Sequence, residues 1–372
     1  MDSNSFFETL EAQYSKKLPF VVYSRSINST INCWLQKDDE VYKTDTFKES
    51  GFVFAPFNLN EESILFPQDQ CDYSEIEIST LEVEIVNSSE IIQNENHKIQ
   101  HLDLVLKGIE SIKNDDLKKV VLSRCETKSL QNNNPITIFK QLFNTYKNAM
   151  VYCWFHPKVG LWIGATPELL FKVEGKRLTT ISLAGTQAFK DNEAIEWTAK
   201  EIEEQQIVTD FITEQIKPYT KSINISDIET VRAGNLLHLK TRITSVIMDE
   251  TKLKSIIEAL HPTPAVCGFP KIEAKDFILQ HENYNRQYYT GFLGELNLKK
   301  ATTRNTNKRN VENNAYSVVK TQSNFYVNLR CMQLKDKLAN IYVGGGITKD
   351  SNPEKEWEET VNKTKTIGNV LD

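Results

Sequence analysis

The sequence lacks the patterns that mark several large classes of protein. Its apolar runs fall well short of the roughly 20 residues needed to cross a bilayer. Its first twenty residues contain no basic region followed by an apolar one, which is the pattern of a secretory signal. With a formal net charge of -6, it has no excess of basic residues that would hold nucleic acid irrespective of sequence. We therefore expect a cytoplasmic protein with no membrane or nucleic-acid partner.

Motifs of several common enzyme mechanisms are missing too. There is no GxSxG elbow, no HExxH helix and no Walker-type phosphate loop, so the hydrolase and zinc interpretations have no motif support. The cysteines include no CxxC pair and no short repeated spacing, so we expect reduced, structural thiols rather than a zinc site or disulfides. There are six of them: Cys33, Cys71, Cys125, Cys153, Cys267 and Cys331.

What is present is an ordinary globular composition, with 40% hydrophobic and 25% charged residues in a chain of 372. Short β-rich runs alternate with helical patterns, which predicts an α+β fold of antiparallel sheets with flanking helices. The predicted helices cover residues 101–112 and 191–216, and a last one begins near residue 351. The predicted strands include residues 20–23, 51–57, 119–122, 150–155, 161–164, 169–173, 236–247, 291–296, 324–334 and 338–343.

Two further segments have a recognisable pattern. In the helix 101–112, one face carries Leu102, Val105, Leu106, Ile109 and Ile112, and we expect this face to pack on the core. Residues 73–96 are acidic and polar, which predicts edge structure or loop. The basic stretch 299–309 lies between two predicted strands and is best explained as a solvated hairpin extension.

Glu204 is unusual for its position on a helix. Trp197, Ile207 and Phe211 share its face at helical spacing. A carboxylate within an apolar stripe is costly unless it is paired, protonated or bound to a metal. From spacing alone, a metal ligand and a buried salt bridge to Lys200 are equally good explanations.

The last helix carries a second group of charged residues, with Glu356, Glu359 and Lys363 on one side at i, i+3 and i+7. Asn352 can cap this helix and Pro353 suits its first turn. From spacing alone, Glu359 and Lys363 predict an ordinary surface ion pair.

Three segments rich in glycine or proline lie elsewhere in the chain. Residues 344–347, Gly-Gly-Gly-Ile, would let a ligand approach the backbone, although a tight turn is the default interpretation. The segment 164–168, Gly-Ala-Thr-Pro-Glu, predicts a sharp turn that presents the carboxyl group of Glu168. The run 182–186, Ser-Leu-Ala-Gly-Thr, would admit a ligand close to the backbone.

Taken in order, these segments resemble the motifs of the chorismate-utilising enzymes, a family that includes isochorismate, salicylate, anthranilate and aminodeoxychorismate synthases. The resemblance runs from about residue 118 to 365 and rests on KVVLSR, GATPELL, SLAGT, KEIEE, HPTPAVCGFP and the NLRC…GGGI…EWEET tail. It implies two large antiparallel sheets packed as a sandwich with flanking helices in a single domain. Residues 1–95 would be a variable N-terminal part of that fold, and residues 96–372 the catalytic core.

The resemblance implies a role for each candidate residue. Lys119 would be the general base that activates water for attack at ring carbon 2, and Glu168 the general acid that protonates the hydroxyl leaving carbon 4. Glu204 and Glu359 match the magnesium ligands, with Glu356 beside them. The residues matched to substrate binding are Ala184, Gly185, Thr186, His238, Tyr289, Arg330, Gly344, Gly345 and Lys363.

Two positions favour water over ammonia as the nucleophile. Amine-forming relatives of the anthranilate type have glutamine where this chain has Lys119, and aminodeoxychorismate synthases have a nucleophilic lysine where it has Ala184. The resemblance therefore favours an isochorismate synthase that acts on chorismate with Mg²⁺, as a monomer. The alternatives are a salicylate synthase, a non-catalytic chorismate-binding homologue and an amidotransferase-coupled enzyme. Three departures from the family pattern are Gln187, Gln205 and Glu295.

Overall fold

The structure is a computed structural model that describes residues 2–25, 30–83, 95–131, 133–189, 195–233, 236–249, 252–302, 318–368 and 370–371. Within these residues the helices are α1 (Ser3–Ser15), α2 (Glu95–Lys113), α3 (Pro135–Thr145), α4 (Ala199–Ile216), α5 (Leu253–Leu260), α6 (Lys271–His281) and α7 (Pro353–Gly368). Two short 3-10 helices cover Gln68–Gln70 and Lys217–Tyr219.

The strands of the first half are β1 (Phe20–Ser24), β2 (Thr30–Gln36), β3 (Lys43–Thr44), β4 (Gly51–Ala55), β5 (Ser63–Pro67), β6 (Cys71–Glu77), β7 (Lys119–Ser129), β8 (Met150–His156), β9 (Gly160–Thr166) and β10 (Leu169–Glu174). Those of the second half are β11 (Arg177–Ala188), β12 (Thr220–Ile225), β13 (Glu229–Ala233), β14 (Leu236–Ile247), β15 (Gly268–Phe269), β16 (Phe292–Thr302), β17 (Val318–Val327), β18 (Cys331–Lys335) and β19 (Leu338–Ile347).

These strands form two antiparallel sheets. Sheet A has the order β15-β7-β19-β18-β9-β8-β1-β2-β6. Sheet B has the order β12-β14-β11-β10-β17-β16-β4-β5-β3, and β13 pairs with β14. The strands of residues 1–95 therefore continue both sheets, and the division of the chain at residue 95 remains a prediction.

The two sheets pack face to face through an aromatic core. Phe54 of sheet B stacks on Tyr288 with ring centroids 4.3 Å apart, and Phe66 stacks on Trp154 of sheet A at 5.3 Å. Every residue of β4 is buried, because alternate side chains face this core and the layer of helices behind sheet B. That explains why β4 is a continuous apolar run rather than an alternating one.

Helices cover the outer faces of the sandwich. α1 and α3 pack on sheet A, and α4 and α5 pack on sheet B. α2 and α6 cover the end of sheet A formed by β7 and β15, while α7 lies against β19. The predicted α+β class is confirmed.

Several local predictions need correction. The helix predicted from residue 191 begins at Ala199, because Thr198 and Glu201 form a capping box there; residues 190–194 lie outside the described part. The strand predicted for 324–334 is two strands in different sheets. On α2, Val105, Ile109 and Ile112 are buried as predicted, but Leu106 is 55% exposed and Leu104 is buried in its place.

Other predictions fit the structure. Residues 71–77 form the edge strand β6 of sheet A. All six cysteines are free thiols, five of them buried and Cys125 partly buried. β16 and β17 pair as a hairpin up to Thr302 and Val318, although Arg304, Lys308 and Arg309 between them lie outside the described residues. None of the described helices combines the length and the apolar character needed to span a membrane.

Candidate active site

Two neighbouring crossovers between the sheets bring Glu168 and Arg330 together. The chain passes from β9 of sheet A to β10 of sheet B at Pro167 and Glu168, and returns from β17 to β18 through Arg330. The crossovers are joined by backbone hydrogen bonds from Ala165 to Arg330 and from Val327 to Glu168, each 3.0 Å long. Arg330 adopts a φ of 48°, an uncommon conformation for a residue other than glycine. The predicted sharp turn at Glu168 is thus a change of sheet.

The Glu168 carboxyl is set apart by its surroundings. Burial raises its pKa from the ordinary 4.5 to about 7, and the positive charges of Lys119 and Arg330 oppose that rise only in part. Desolvation disfavours the ionised form, so at neutral pH a large fraction of this carboxyl holds a proton. A carboxyl in this condition can donate a proton at physiological pH.

The raised pKa of Glu168 predicts a stability penalty above neutral pH. Below pH 4.5 the group is protonated in both the folded and unfolded chains. Between pH 4.5 and 7 the group ionises in the unfolded chain while the folded chain keeps its proton, so that above pH 7 the unfolded chain is favoured by on the order of 3 kcal/mol. Glu168→Gln keeps the shape without the charge, so its free energy of unfolding should exceed that of the wild type by about 2–3 kcal/mol at pH 8.

Urea denaturation at pH 5 and pH 8 would measure this difference. The gain should shrink strongly at pH 5. The control variant Glu174→Gln removes a half-exposed carboxylate on the following strand, paired with Lys172 at 3.3 Å, and should show no comparable pH-dependent gain. A Glu168→Gln protein no more stable than the wild type at pH 8 would contradict the assigned burial.

Lys119 opens β7 between two supporting strands. Phe269 of β15 pairs with it on one side, and β19 pairs with β7 on the other. A β-carbon at Gly346 would lie 3.0 Å from Cε of Lys119, so the glycine leaves room for the lysine side chain. The Lys119 ammonium lies 3.8 Å from Oε1 of Glu204 on α4.

The glycines of β19 form strand rather than a tight turn, which corrects the default interpretation. A β-carbon at Gly344 would lie 3.1 Å from the hydroxyl of Tyr289. One at Gly345 would lie 3.3 Å from Oε2 of Glu356 and 3.9 Å from Oε1 of Glu359. The absence of side chains at Gly344 and Gly345 therefore lets polar groups approach the backbone of β19 from both faces.

α7 presents its charged face beside the glycine strand. Asn352 caps the helix as predicted, accepting a hydrogen bond of 3.2 Å from the backbone of Lys355. Lys363 forms the predicted ion pair with Glu359 at 2.6 Å, and it also donates to the carbonyl of Gly344 at 2.9 Å. Burial raises the pKa of Glu356, and the neighbouring charge of Glu359 adds to that rise. The pair therefore connects α7 to β19 instead of facing solvent alone.

The segment 182–186 lies within β11. A bulge interrupts its pairing with β14 between Ala184 and Thr186, and Gly185 there has a φ of 66°. His238 lies opposite the bulge on β14 and hydrogen-bonds the Gly185 backbone. Burial lowers the pKa of His238, the bond to Gly185 opposes this, and the positive charge of Arg330 adds to the lowering. His238 thus links the bulge to the electrostatic surroundings of Arg330, while the side chain of Thr186 lies outside the described residues.

Glu204 does not lie in an apolar stripe, so that expectation is wrong. Its side chain is 48% exposed, and Ile207 is exposed too. The buried face of α4 is offset by one residue and includes Gln205, which donates to the Ser182 carbonyl at 3.1 Å and to Thr241 at 3.0 Å. The partner of Glu204 is Lys119, whereas the side chain of Lys200 is outside the described part.

Two buried charged residues that sequence reasoning missed hold the free edge of β7. β15 covers only the first two residues of this strand. Beyond them, Arg286 donates to the Val121 carbonyl at 2.7 Å, and the Ser123 N–H donates to Glu282 at 2.8 Å. Glu282 and Arg286 are also ion-paired at 2.5 Å, so together they replace the hydrogen bonds of a neighbouring strand. Their i,i+4 spacing was the available signal.

Comparison with known proteins decides the family. Two sequence profiles, both described as chorismate binding enzyme, match residues 59–302 and residues 315–369. The first profile alone covers well over half of the chain. The chain belongs to the chorismate-binding enzymes.

Characterised relatives of this chorismate-binding enzyme include two of different activity. It is 28% identical to the salicylate biosynthesis isochorismate synthase of Pseudomonas aeruginosa, over 72% of this chain and 53% of that protein. It is 29% identical to anthranilate synthase component 1 of Lactococcus lactis, over 71% and 55% respectively. The matches thus span about half the length of these relatives.

A solved structure supports the fold. That of MenF, the menaquinone-specific isochorismate synthase from Escherichia coli, matches with a TM-score of 0.74 over 95% of this chain and 89% of the other, at 19% identity. This likeness confirms the predicted sandwich of two large antiparallel sheets with flanking helices.

The carboxylates of this chorismate-binding enzyme suit a magnesium ion. Within the described ranges, no three His, Cys, Asp or Glu side chains stand close enough to hold a metal by themselves. Mg²⁺ does not require three, because it usually keeps water and substrate oxygens alongside one or two carboxylates. Glu356 and Glu359 converge on Gly345, and Glu204 approaches from α4 beside Lys119. Glu356 and Glu359 are hard oxygen donors beside Gly345, and Glu204 is a third near Lys119, which packs against the adjoining Gly346. Donors of this kind fit the ion.

Proposed function

We propose that this protein is an isochorismate synthase, which adds water to carbon 2 of chorismate and removes the hydroxyl group from carbon 4. The observation that carries the proposal is the pairing of an amine with a protonated carboxyl in one site. Lys119 acts on the pKa of Glu168, and that carboxyl titrates near 7. An addition of water coupled to loss of hydroxide needs one group that accepts a proton and one that donates it.

Lys119 is the base in this proposal. It takes a proton from the attacking water while the oxygen bonds to carbon 2. The ring double bonds shift, the bond from carbon 4 to its hydroxyl breaks, and Glu168 supplies the proton with which that group leaves as water. The two proton transfers balance, so no oxidant or further reactant is needed.

The proposed magnesium ligands are Glu204 and Glu359, with Glu356 beside them. When bound, Mg²⁺ would neutralise and orient the ring carboxylate of the substrate. Two of the chain's own cations in this site are already engaged, since Lys119 lies beside Glu204 and Lys363 pairs with Glu359, and this leaves Arg330 for only one of the two carboxylates of chorismate. An additional cation is therefore needed if a dianionic substrate is to approach an enzyme of net charge -6.

The enolpyruvyl carboxylate of chorismate has a matching set of partners. Arg330 can pair with it through its planar fork, and the Tyr289 hydroxyl stands beside Gly344, where the strand carries no side chain. His238 and the bulge at Gly185 would line the ring, because His238 bonds the Gly185 backbone and the charge of Arg330 acts on the pKa of His238. We also propose that residues 96–372 form the catalytic core and that the enzyme is a cytoplasmic monomer.

A chorismate assay with product identification tests the proposal. Purified protein should convert chorismate to isochorismate in the presence of Mg²⁺, and turnover should fall to background with EDTA and return when Mg²⁺ is restored. Chromatography separates isochorismate from salicylate, anthranilate and unreacted chorismate. Formation of salicylate with pyruvate would instead identify a salicylate synthase. An absence of turnover despite chorismate binding would identify a non-catalytic homologue.

A further inference from the structure

We infer that Arg124, a buried residue on β7, is a positioning residue that sets the rotation of α7 about its own axis. By doing so it aims Glu356, Glu359 and Lys363 at the site. This inference rests on the proposed function, because those three residues matter only if α7 serves the metal and the substrate. Arg124 itself would contact neither the metal nor the substrate.

The side chain of Arg124 is enclosed and uses its whole guanidinium group. It ion-pairs with Glu126 on its own strand. Its Nε donates to the hydroxyl of Thr360 at 2.8 Å, and a terminal nitrogen lies 3.5 Å from the hydroxyl of Thr364. The guanidinium plane also covers the ring of Trp357, 4.2 Å from its centroid. Three residues of α7 are therefore held by one side chain of sheet A.

The spacing of the contacted residues carries the argument. Trp357, Thr360 and Thr364 are all buried and stand at i, i+3 and i+7, on one face of α7. Glu356, Glu359 and Lys363 have the same spacing, each one residue earlier. One residue corresponds to about 100° of rotation around a helix. Fixing the first face therefore fixes the direction of the second.

The contacts allow only one rotation. Thr360 donates its hydroxyl proton to the Trp357 carbonyl at 2.7 Å, and Thr364 donates to the Thr360 carbonyl at 2.9 Å. Both hydroxyls are thus left as acceptors, and Arg124 has no acceptor of its own. Rotating α7 would keep the pair with Glu126 but leave the Nε and one terminal nitrogen of this buried guanidinium without acceptors, which is unfavourable. A purely apolar contact would resist such a rotation less.

The chain provides a matched control on the same strand and helix. Lys128, four residues after Arg124 on β7, is also buried, and it donates to the Gly368 carbonyl at the end of α7 at 3.3 Å. It anchors the helix beyond the charged face. Loss of Lys128 should therefore weaken the packing of α7 without changing the direction of Glu356 and Glu359.

Metal titration separates positioning from stability. Mn²⁺ binding followed by electron paramagnetic resonance, and the Mg²⁺ dependence of turnover, should be compared for wild type, Arg124→Lys, Thr360→Val, Thr360→Ser and Lys128→Met. Arg124→Lys should raise the dissociation constant for Mn²⁺ about 10–100-fold, the usual effect of losing a group that orients metal ligands. Thr360→Val should also raise the dissociation constant for Mn²⁺. Thr360→Ser, which keeps the hydroxyl, should have the wild-type dissociation constant.

Lys128→Met should lower the melting temperature at least as much as Arg124→Lys while leaving the Mn²⁺ affinity within about twofold. If Arg124→Lys lowers the melting temperature but binds Mn²⁺ like the wild type, Arg124 is merely structural and the inference is wrong. A wild-type protein that turns over chorismate without binding Mn²⁺ or requiring Mg²⁺ would overturn the inference together with the metal assignment. A wild type that binds Mn²⁺ but does not act on chorismate would overturn the proposed activity alone, and the variants would still test Arg124.

Discussion

Replacing Lys119 by alanine is expected to lower the rate of chorismate conversion by about 10²–10⁴-fold, the usual contribution of a well-placed general base. Alanine has no group that can take a proton from water. The neighbouring strands should hold β7 in place, since Phe269 pairs with residue 119 through the backbone and the Glu282–Arg286 pair holds the strand edge. The measurement is the initial rate at saturating chorismate and Mg²⁺, with isochorismate quantified by chromatography.

Lys118→Ala is the control for this experiment. Lys118 is the preceding residue, its side chain is exposed, and its backbone N–H bonds the Phe269 carbonyl at 2.8 Å whatever the side chain. That variant should keep wild-type turnover. Because the ion pair between Lys119 and Glu204 is long and half-exposed, its loss should change stability little. A Lys119→Ala enzyme with near-normal turnover would remove Lys119 from the mechanism.

Two features of the candidate site could be predicted from the sequence because they coincide with changes in backbone direction. Pro167 before Glu168 predicted a turn, and the structure has a crossover between sheets there. The sequence predicts that the last helix begins near residue 351, with Asn352 as its cap, and it begins at Pro353. Such signals are local, since capping and proline chemistry act over one turn of chain. Predictions from such local signals do not depend on how the rest of the chain folds.

Features that depend on distant partners could not be predicted in this way. From the sequence alone, a tight turn is the default interpretation of Gly344–Gly346, but β7 supplies ladder hydrogen bonds that extend the strand through them. Helical periodicity placed Glu204 on the buried face of α4, whereas contacts with Ser182 and Thr241 select Gln205 instead. Adjacent residues differ by about 100° on a helix. The apolar pattern of α4 is too weak to show whether Glu204 or Gln205 faces the core.

Changing Glu204 to glutamine is expected to raise the Mg²⁺ concentration for half-maximal turnover by more than about 100-fold. Even groups that merely orient metal ligands contribute 10–100-fold to affinity, and a direct carboxylate ligand should contribute more. Glutamine keeps the length of the side chain and an oxygen donor but removes the negative charge that Mg²⁺ prefers. Turnover measured across a Mg²⁺ titration gives this concentration, and Mn²⁺ titration by electron paramagnetic resonance gives the affinity directly.

Glu203→Gln supplies the control, since Glu203 is exposed on the same helix turn and should keep the wild-type Mg²⁺ dependence.

A sharper comparison combines Glu204→Gln on α4 with Glu359→Gln on α7 in one double variant. If both carboxylates hold one ion, the double variant should lose less affinity than the sum of the two single losses, because groups that act as a unit are not additive. Independent, additive losses would mean that the two carboxylates serve different ligands. An unchanged Mg²⁺ requirement in Glu204→Gln would exclude it from the metal site.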